Sequence, residues 1–580
     1  MKYSAAQSLT IPTSFPKTLL IPVISRPSPP LLEVIDSGAV RSYGWKLAAV
    51  ETLFILLLFF LIAGSPPPGV GESHYLPKAK HYWDPAWCRG DLFLESADAH
   101  LTFYWCFGWV TKFCSLTATA WIGRGVTWLL LAWSWQRLSV ALVPKPLFSI
   151  LSGGLLLIFT RWFHLAGEWI IGGIEAKSFS YVFFFLSLEC LVRRRWTPAW
   201  LLMGTAAAFH VLIGGWGCLL LGGVWLIELF LKPKAETPSL WRMAPAVIGG
   251  FILSLPGLLP AVLLNRGVES DVAREAATAY VFERLGHHLV FHRFDHFFMA
   301  RHLVLLITWA VLAWQQRHDV RLRALHIFTL GAVLMGLCGA IIDQSLLYQR
   351  ELAAKLLRYY WFRLSDTMLA ASVAIALAQE ISRRQQSRPA VFGVLVFLAI
   401  VAVGADVALT VQQRNEVRVP AAFLQPKPTQ TPATKDEQAV AEMLLPELFE
   451  RWQDVCLWIK YETPSDARFL TPRRQQTFKW YAQRPEVVNW KDVPQDAAGL
   501  AKWKAAMDEV YPRATFEDDL AAHIEPRLLA IAHKYNVKYI VLDRTRAKRG
   551  LNFPRVYPAV HAQNPAYEVY AVPPLPKVGP

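Results

Sequence analysis

Acidic side chains cluster in the segment that follows the first long apolar run of the sequence. This segment, GESHYLPKAKHYWDPAWCRGDLFLES (71–96), contains Glu72, Asp84 and Asp91. A carboxylate just outside a membrane can act as a general base that deprotonates an acceptor hydroxyl. We predict this role for Glu72, which follows the apolar run by only a few residues, with Asp84 and Asp91 as alternatives, and we predict that His74 contacts substrate. An ordinary solvated loop is the competing interpretation.

Charged side chains also recur in RWFHLAGEWIIGGIEAKSFSY (161–181). If this segment is helical, four side chains spaced near multiples of 3.6 share one face: Arg161, His164, Glu168 and Glu175. Gly172-Gly173 is expected to break the helix, which would interrupt this face. Glu175 and Lys177 then stand at the start of an apolar run, and charges at that depth usually face a cavity or a partner. We therefore predict that Glu175 and Lys177 line a substrate cavity. An ion pair that only orders the helices is the alternative.

Five of the 15 histidines lie in ERLGHHLVFHRFDHFFMARH (283–302). His288, His292 and His296 follow i, i+4, i+8 spacing, so a helix would place them on one face, where they would bind a divalent metal or a phosphate. His287 and His288 are predicted to contact substrate. The competing interpretation is an amphipathic helix that lies in the membrane interface.

A pair of arginines precedes another apolar run, in RYYWFRLSD (358–366). Arg358 and Arg363 would stand at the membrane surface, and guanidinium groups are suited to bidentate phosphate binding. Asp366 lies at the entrance of the apolar run. We predict that all three contact substrate, whereas side chains that only anchor the helix at the membrane surface are the alternative.

The composition identifies the class of protein in which these side chains act. Of the 580 residues, 54% are hydrophobic and 18% are charged, and the mean hydropathy is +0.29. In soluble globular proteins, about a quarter of all residues are charged. The net charge of +15 does not indicate a nucleic-acid partner, because much of it lies in short loops between apolar runs. The 7 cysteines show no disulfide or zinc pattern, and the sequence has no Walker, GxSxG, HExxH or CxxC motif.

About 11 apolar segments are long enough to cross a bilayer. They lie near 46–64, 116–135, 139–160, 178–192, 198–214, 215–231, 244–265, 302–315, 325–343, 366–380 and 389–411. We therefore predict an α-helical polytopic membrane bundle with a C-terminal soluble α/β domain. The predicted division is a disordered cytoplasmic tail (1–45), a transmembrane domain (46–411), a linker (412–436) and an extracytoplasmic domain (437–580).

The charges of the loops predict the orientation. Alternate loops are basic through Arg193, Arg194, Arg195, Lys232, Lys234, Arg317, Arg321, Arg323, Arg383, Arg384 and Arg388. Basic loops remain in the cytoplasm. An odd number of spans then places the N-terminus inside and the C-terminal domain outside a bacterial inner membrane.

The C-terminal domain mixes helical and strand patterns. Helices are predicted near 437–451 and 497–511, and strands at 467–471, 486–490, 537–543 and 567–572. This mixture indicates a small α/β layer domain. Its polar residues form no recognised pair of nucleophile and base, so we predict an accessory role. Lys479, Arg484 and Lys491 are predicted to be exposed to solvent, and a position that faces the membrane cavity is the alternative.

The chain resembles the GT-C superfamily of membrane glycosyltransferases, which includes protein O-mannosyltransferases and aminoarabinose transferases. Glu72-Ser73-His74-Tyr75 resembles the acidic motif of the first outer loop, although many members have two adjacent acidic residues where this chain has Gly71-Glu72. More closely, it resembles a bacterial family of polytopic membrane proteins of uncharacterised activity. The segments that carry this likeness are GGIEAKSFSY (172–181), RLGHHL (284–289), FRLSD (362–366) and FLTPRRQQTFKWYAQRPEVVNWK (469–491).

The resemblance implies a transferase that moves a sugar, with inversion, from a polyprenyl-phosphate donor to a lipid, glycan or protein acceptor. Cations would stabilise the departing phosphate. Two other classes share the spans and charges: a transporter or flippase for a lipid-linked glycan, and a non-catalytic assembly or binding protein. A transporter would show paired broken helices and a path to the cytoplasm. A transferase would have one outward cavity that combines a carboxylate with phosphate-binding cations.

Overall fold

The chain folds into a bundle of helices followed by a region that contains a small sheet. The computed structural model describes residues 43–231, 237–423, 435–511, 520–547 and 549–574, so most of the predicted tail, part of the linker, and Lys232 and Lys234 lie outside the described residues. The helices up to residue 417 are α1 (Trp45–Ala63), α2 (Glu72–Trp83), α3 (Leu101–Cys106), α4 (Leu116–Leu142), α5 (Phe148–Trp162), α6 (Ala176–Val192), α7 (Trp196–Phe209), α8 (Val211–Leu231), α9 (Leu240–Leu263), α10 (Ser270–Thr278), α11 (Gly286–Leu289), α12 (His296–Gln315), α13 (Val320–Ser345), α14 (Arg350–Leu357), α15 (Arg363–Ser387) and α16 (Pro389–Val417).

Seven of these helices, namely α1, α8, α9, α12, α13, α15 and α16, are long and apolar enough to cross a membrane. Each of the predicted spans overlaps a helix, and the remaining ones fall on α4, α5, α6 and α7. Helices α5, α6 and α7 are short, and apolar side chains such as Leu156, Phe184 and Met203 are buried among neighbouring helices. The chain is a multipass membrane protein, and the predicted number of crossings stays a prediction.

Glycines allow two helices of the bundle to approach closely. A Cβ atom at Gly204 of α7 would collide with the carbonyl oxygen of Gly250 of α9, and one at Gly257 would collide with the carbonyl of Ala208. Small residues at such positions are the usual means by which membrane helices pack backbone against backbone. Larger side chains here would force α7 and α9 apart.

Helix α15 runs the length of the bundle. Arg363 and Asp366 lie in its first turn and Arg383 lies near its end, which separates them by about 30 Å, the thickness of the hydrocarbon core of a bilayer. Arg383 forms an ion pair with Asp319 at 2.7 Å. Two of the basic loops therefore lie at one end of the bundle, opposite the end where α15 begins.

The C-terminal region forms helices α17 (Lys435–Glu462), α18 (Phe478–Ala482), α19 (Ala497–Val510) and α20 (Glu525–Lys534). Its strands are β1 (Arg468–Leu470), β2 (Val537–Asp543), β3 (Arg555–Tyr557) and β4 (Tyr567–Ala571), in the sheet order β1-β2-β4-β3. The pair β1–β2 is parallel and the other pairs are antiparallel. Three of the four predicted strands are thus confirmed.

The predicted strand at 486–490 is wrong, and β3 was not predicted. Only Glu486 forms a bridge, to Phe469. The adjacent Val487 and Val488 are both buried in the same apolar core, so the segment lacks the alternation of faces that defines a strand.

Apolar cores cover both faces of the sheet. Along β2, Ile540 and Leu542 belong to one core and Val541 belongs to another, as the two-residue period of a strand requires. Ala276 of α10 belongs to the same core as Ile540. The C-terminal region therefore packs on the membrane region, and the chain from Trp45 onward forms one compact unit. The predicted boundary of a separate domain at residue 437 stays a prediction.

Candidate functional site

A cavity of about 220 Å³ lies at the end of the bundle where α15 begins. We call it the polar cavity. The charged side chains that line it are Glu168, Glu175, Lys177, Arg284, Arg363 and Lys491. Uncharged polar side chains complete the wall, namely His74, Tyr75, Tyr280, His288, Tyr360 and Gln495. Carboxylates and cations from four separate segments of the chain thus face one space.

Glu168 is tightly held inside the polar cavity. Arg363 Nε lies 2.9 Å from one carboxylate oxygen, and Lys177 Nζ lies 3.4 Å from the other. The Tyr181 hydroxyl donates a hydrogen bond of 3.1 Å to the same oxygen as Lys177. With three partners, Glu168 is suited to orient the two cations rather than to take up a proton.

Asp366 fixes the loop that carries Glu168. One carboxylate oxygen accepts a hydrogen bond of 2.6 Å from the Leu165 amide. The other accepts bonds of 3.0 and 3.1 Å from the amides of Ala166 and Glu168. Asp366 is buried and is not among the residues that line the polar cavity. It positions Glu168 from behind, whereas the sequence predicted that it contacts substrate.

The segment 161–181 is not one helix, because α5 ends and α6 begins on either side of a thirteen-residue loop that contains Gly172 and Gly173. The common face that a helix would give is therefore absent. Arg161 pairs with an aspartate of α16, and His164 stacks on a phenylalanine of α12. Glu168 and Glu175 still reach the polar cavity, because the loop itself forms part of its wall.

Glu175 is the less constrained carboxylate of the polar cavity. Among the described residues, its closest cation is Lys177, whose Nζ lies 4.0 Å from Oε2. Lys177 also lies over the Trp169 ring, 3.7 Å from its centroid. Burial raises the pKa of Glu175 above its ordinary value, an effect that Lys177 and Lys491 oppose. A buried carboxylate with a raised pKa is a stronger base than an ordinary carboxylate, which suits it to accept a proton.

Glu72 lies in a different environment from the one that the sequence predicted. It is fully buried, and its two oxygens form a bidentate ion pair with Arg124 of α4, at 2.7 and 2.6 Å. The same oxygens accept hydrogen bonds from the amides of Gly69 and Ile174. Glu72 is not among the residues that line the polar cavity. This geometry makes Glu72 a link between α2, α4 and the loop before α6.

Asp91 belongs to a buried cluster of charges around Lys479. The Lys479 ammonium lies 3.3 Å from Asp91, 2.6 Å from Glu486 and 2.7 Å from Asp492. Asp492 also lies 3.0 Å from Nδ1 of His74. We call these five residues the Lys479 cluster. The prediction that Lys479 is solvated is wrong, since the cluster joins the first loop to the C-terminal region in the interior.

The remaining carboxylate of the first loop, Asp84, stands apart. It follows the last residue of α2 and is exposed. Glu72 begins the same helix, so Asp84 lies about 18 Å away along its axis.

Arg484, also predicted to be solvated, is buried and donates hydrogen bonds to backbone carbonyls of Lys460 and Thr463.

The histidines do not share one helical face. His288 lies in α11, His292 in a 3-10 turn and His296 at the start of α12, because extended residues at 290 and 294 interrupt the helix. His288 bonds to the Ala166 carbonyl and His292 pairs with Asp343. Within the described ranges, no group of three His, Cys, Asp or Glu could hold a metal ion. Of these histidines His288 lines the polar cavity, whereas His287 is exposed.

A second, larger space of about 520 Å³ adjoins the polar cavity. We call it the apolar groove. Five residues line both spaces: Tyr75, Tyr280, Tyr360, Arg363 and Gln495. Apolar side chains from the start of α8 and the end of α9 form one wall, and Arg358 lines the groove near Arg363. Of the two predicted phosphate-binding arginines, Arg363 therefore lies at the junction of the two spaces and Arg358 lines the groove alone.

Sequence reasoning missed Arg124 and Arg284. Arg284 lines the polar cavity and donates a hydrogen bond of 2.8 Å to the Trp490 carbonyl. Arg124 is an isolated charge inside the apolar run of α4. A lone charge in a span normally has a partner, so this signal was available for Arg124.

Comparisons with known proteins give one short family match and several solved structures of low sequence identity. A family model described as a domain of unknown function (DUF6798) matches residues 450–510. No curated protein matches the sequence. Two crystal structures of the Archaeoglobus fulgidus oligosaccharyltransferase are similar to the chain. The first, tethered with an acceptor peptide, is 11% identical and covers 86% of this chain and 69% of its own, with a TM-score of 0.42. The second, in complex with Zn and sulfate, is 12% identical and covers 86% and 68%, with a TM-score of 0.44.

A third similar structure is ArnT from Cupriavidus metallidurans bound to undecaprenyl phosphate. It is 14% identical, covers 92% of this chain and 98% of its own, and has a TM-score of 0.44. These neighbours are glycosyltransferases of the GT-C class that the sequence resembles, and at such identities and TM-scores the likeness by itself decides no activity.

Proposed function

We propose that the chain is a membrane glycosyltransferase that moves a sugar from a polyprenyl-phosphate donor to a lipid, glycan or protein acceptor. The observation that carries this proposal is the polar cavity, where the buried carboxylate of Glu175 faces a space lined by four cations. The cavity lies at the end of the bundle opposite the basic loops around Arg383. By the charge rule, that end faces outward from the cytoplasm.

The apolar groove suits the lipid part of such a donor. Leu258 and Val262 of α9 line it, and Val262 is largely exposed on the outside of the bundle. A polyprenyl chain in this groove would therefore remain in contact with the membrane. Its phosphate would lie at the junction with the polar cavity, next to Arg358 and Arg363, and the sugar would extend into the polar cavity.

The charges of the polar cavity suit a phosphate leaving group. Four cations and two carboxylates line it, which leaves an excess of two positive charges. A phosphate monoester carries about two negative charges near neutral pH. In a cavity that excludes water, fixed cations stabilise the charge that develops as the phosphate departs.

Glu175 is the proposed general base. The acceptor hydroxyl attacks the anomeric carbon, its proton passes to the Glu175 carboxylate, and the bond from that carbon to the phosphate oxygen breaks, which releases polyprenyl phosphate. A Cβ atom at Gly71 would collide with Oε1 of Glu175. Gly71 thus leaves room for this carboxylate, at the position where many GT-C members have the first of two acidic residues.

Transport of a lipid-linked glycan is less well supported. Between the polar cavity and the basic end, α15 is buried on nearly all sides, with Leu369, Val373 and Ala376 fully enclosed by apolar neighbours. This supports a cavity at one end rather than a path through the bundle.

Donor binding tests the proposal. Arg358→Met should weaken binding of undecaprenyl phosphate about tenfold or more, because a charged hydrogen bond contributes about 1.5–3 kcal/mol. Binding is measured by native mass spectrometry of the full chain in lipid nanodiscs, with undecaprenol as the uncharged comparison. Arg350→Met is the control, since Arg350 is exposed and lines neither space. Equal binding of undecaprenyl phosphate and undecaprenol to the wild-type chain would contradict the proposal.

A further inference from the structure

Lys491 reaches the polar cavity from the C-terminal region on a fixed turn. The Asn489 side chain accepts hydrogen bonds of 2.9 Å from the amides of Lys491 and Asp492. The backbone carbonyl of Asn489 in turn accepts a hydrogen bond of 2.9 Å from the Trp503 indole of α19. These bonds define the direction in which the Lys491 side chain leaves the backbone.

Contacts on either side of Lys491 hold the same turn in place. Arg284 donates to the carbonyl of Trp490 at 2.8 Å, on one side of Lys491. On the other side, Asp492 is held by Lys479 and His74 in the Lys479 cluster. Both neighbours of Lys491 in the chain are therefore anchored, and the lysine is pre-positioned before any ligand binds.

The ammonium of Lys491 has no partner within the described part of the chain, where it forms neither an ion pair nor a side-chain hydrogen bond. Arg363 and Lys177, in contrast, are paired with Glu168. Burial, and secondarily Arg284, lower the pKa of Lys491 to about 8, so the group is mostly charged at neutral pH. Glu175 and Asp492 attract the partly buried ammonium only from beyond ion-pair distance. A partly buried cation without a close anion is costly, which indicates that a ligand supplies the anion.

We propose that Lys491 binds an anionic group, a phosphate or a carboxylate, on the acceptor substrate. This inference rests on the proposed function and adds the class of acceptor. Arg358 and Arg363 mark the donor phosphate at the junction with the apolar groove, whereas Lys491 lines only the polar cavity, where Glu175 also lies. An acceptor must reach the base inside the polar cavity, and Lys491 faces that space without an ion pair among the described residues.

The test uses the full chain in nanodiscs, loaded with undecaprenyl phosphate. Saturation-transfer NMR measures the binding of glucose 1-phosphate, glucuronic acid and glucose. The wild-type chain should bind one of the two anionic sugars about tenfold or more tightly than glucose. The preferred anion distinguishes a phosphate from a carboxylate acceptor. Lys491→Met should lose the preference and Lys491→Arg should keep it, while Lys534→Met, an exposed lysine of α20, should be unchanged.

The outcomes separate this inference from the proposed function. If Lys491→Met keeps the preference for the anionic sugar, or the wild-type chain has none, the inference is overturned. If Lys491→Met instead weakens the binding of undecaprenyl phosphate, Lys491 holds the donor and the acceptor assignment is wrong. Failure of the wild-type chain to bind undecaprenyl phosphate would contradict the proposed function itself. The heat-unfolding midpoint of each variant shows whether it is folded.

Discussion

Glu175→Gln is expected to lower the rate of sugar transfer by about 10²–10⁴, the usual contribution of a general base. The substitution keeps the size of the side chain, so donor affinity and the heat-unfolding midpoint should change little. Transfer is measured as the formation of a glycosylated acceptor by the purified chain. Full activity of a folded Glu175→Gln variant would contradict the assignment.

The pH dependence provides a second readout for Glu175. The pKa of this carboxylate is raised by burial, and a general base acts in its deprotonated form. The rate should therefore fall as the pH decreases through this raised pKa, and Glu175→Gln should remove that fall from the residual rate.

Glu72→Gln is the matched comparison, because Glu72 is also a buried carboxylate and contacts the loop before α6. Its loss leaves Arg124 without a counter-charge, which should cost about 3 kcal/mol of folding stability. A folded Glu72→Gln variant that loses transfer, next to an active Glu175→Gln variant, would return the role of base to Glu72 as the sequence predicts.

Lys479→Met is expected to have the largest effect on stability. Lys479 is 2% exposed and lies between Asp91, Glu486 and Asp492. Its removal leaves three buried carboxylates without their common cation, and breaking even a single buried ion pair costs about 3–5 kcal/mol. The measurement is the heat-unfolding midpoint of the protein in detergent, with tryptophan fluorescence as the signal that reports unfolding.

Lys502→Met is the control for Lys479, since Lys502 is an exposed lysine of the same C-terminal region. The triple change of Lys479→Met with Glu486→Gln and Asp91→Asn should recover part of the loss, because it removes two of the uncompensated charges. An unfolding midpoint of Lys479→Met equal to that of Lys502→Met would show that the cluster does not stabilise the fold.

The membrane bundle could be predicted from the sequence, because apolar runs and loop charges are local patterns. The same holds for β2, in which Ile540 and Leu542 belong to one core and Val541 belongs to the other. The partner of Glu72 could not be read in this way, since Arg124 lies 52 residues later in the chain. Which carboxylate is paired and which faces a cavity depends on such distant contacts.

Helical spacing predicts the wrong common face where the backbone breaks. His288, His292 and His296 follow the spacing of one face, yet two extended residues separate them into three elements. Lys491 shows the converse, because its position at the cavity depends on two hydrogen bonds: the one that its amide donates to Asn489 and the one that Arg284 donates to the Trp490 carbonyl. Local sequence around it resembles that of any solvated turn.

The most direct test of the account is mass spectrometry of glycolipids and glycans from three kinds of cell: with the wild-type gene, without it, and with Glu175→Gln. We predict that one glycosylated species is present only with the wild-type gene, and that its polyprenyl-phosphate donor accumulates in the other two. Identical spectra from cells with and without the gene would contradict the central claim that the polar cavity transfers a sugar.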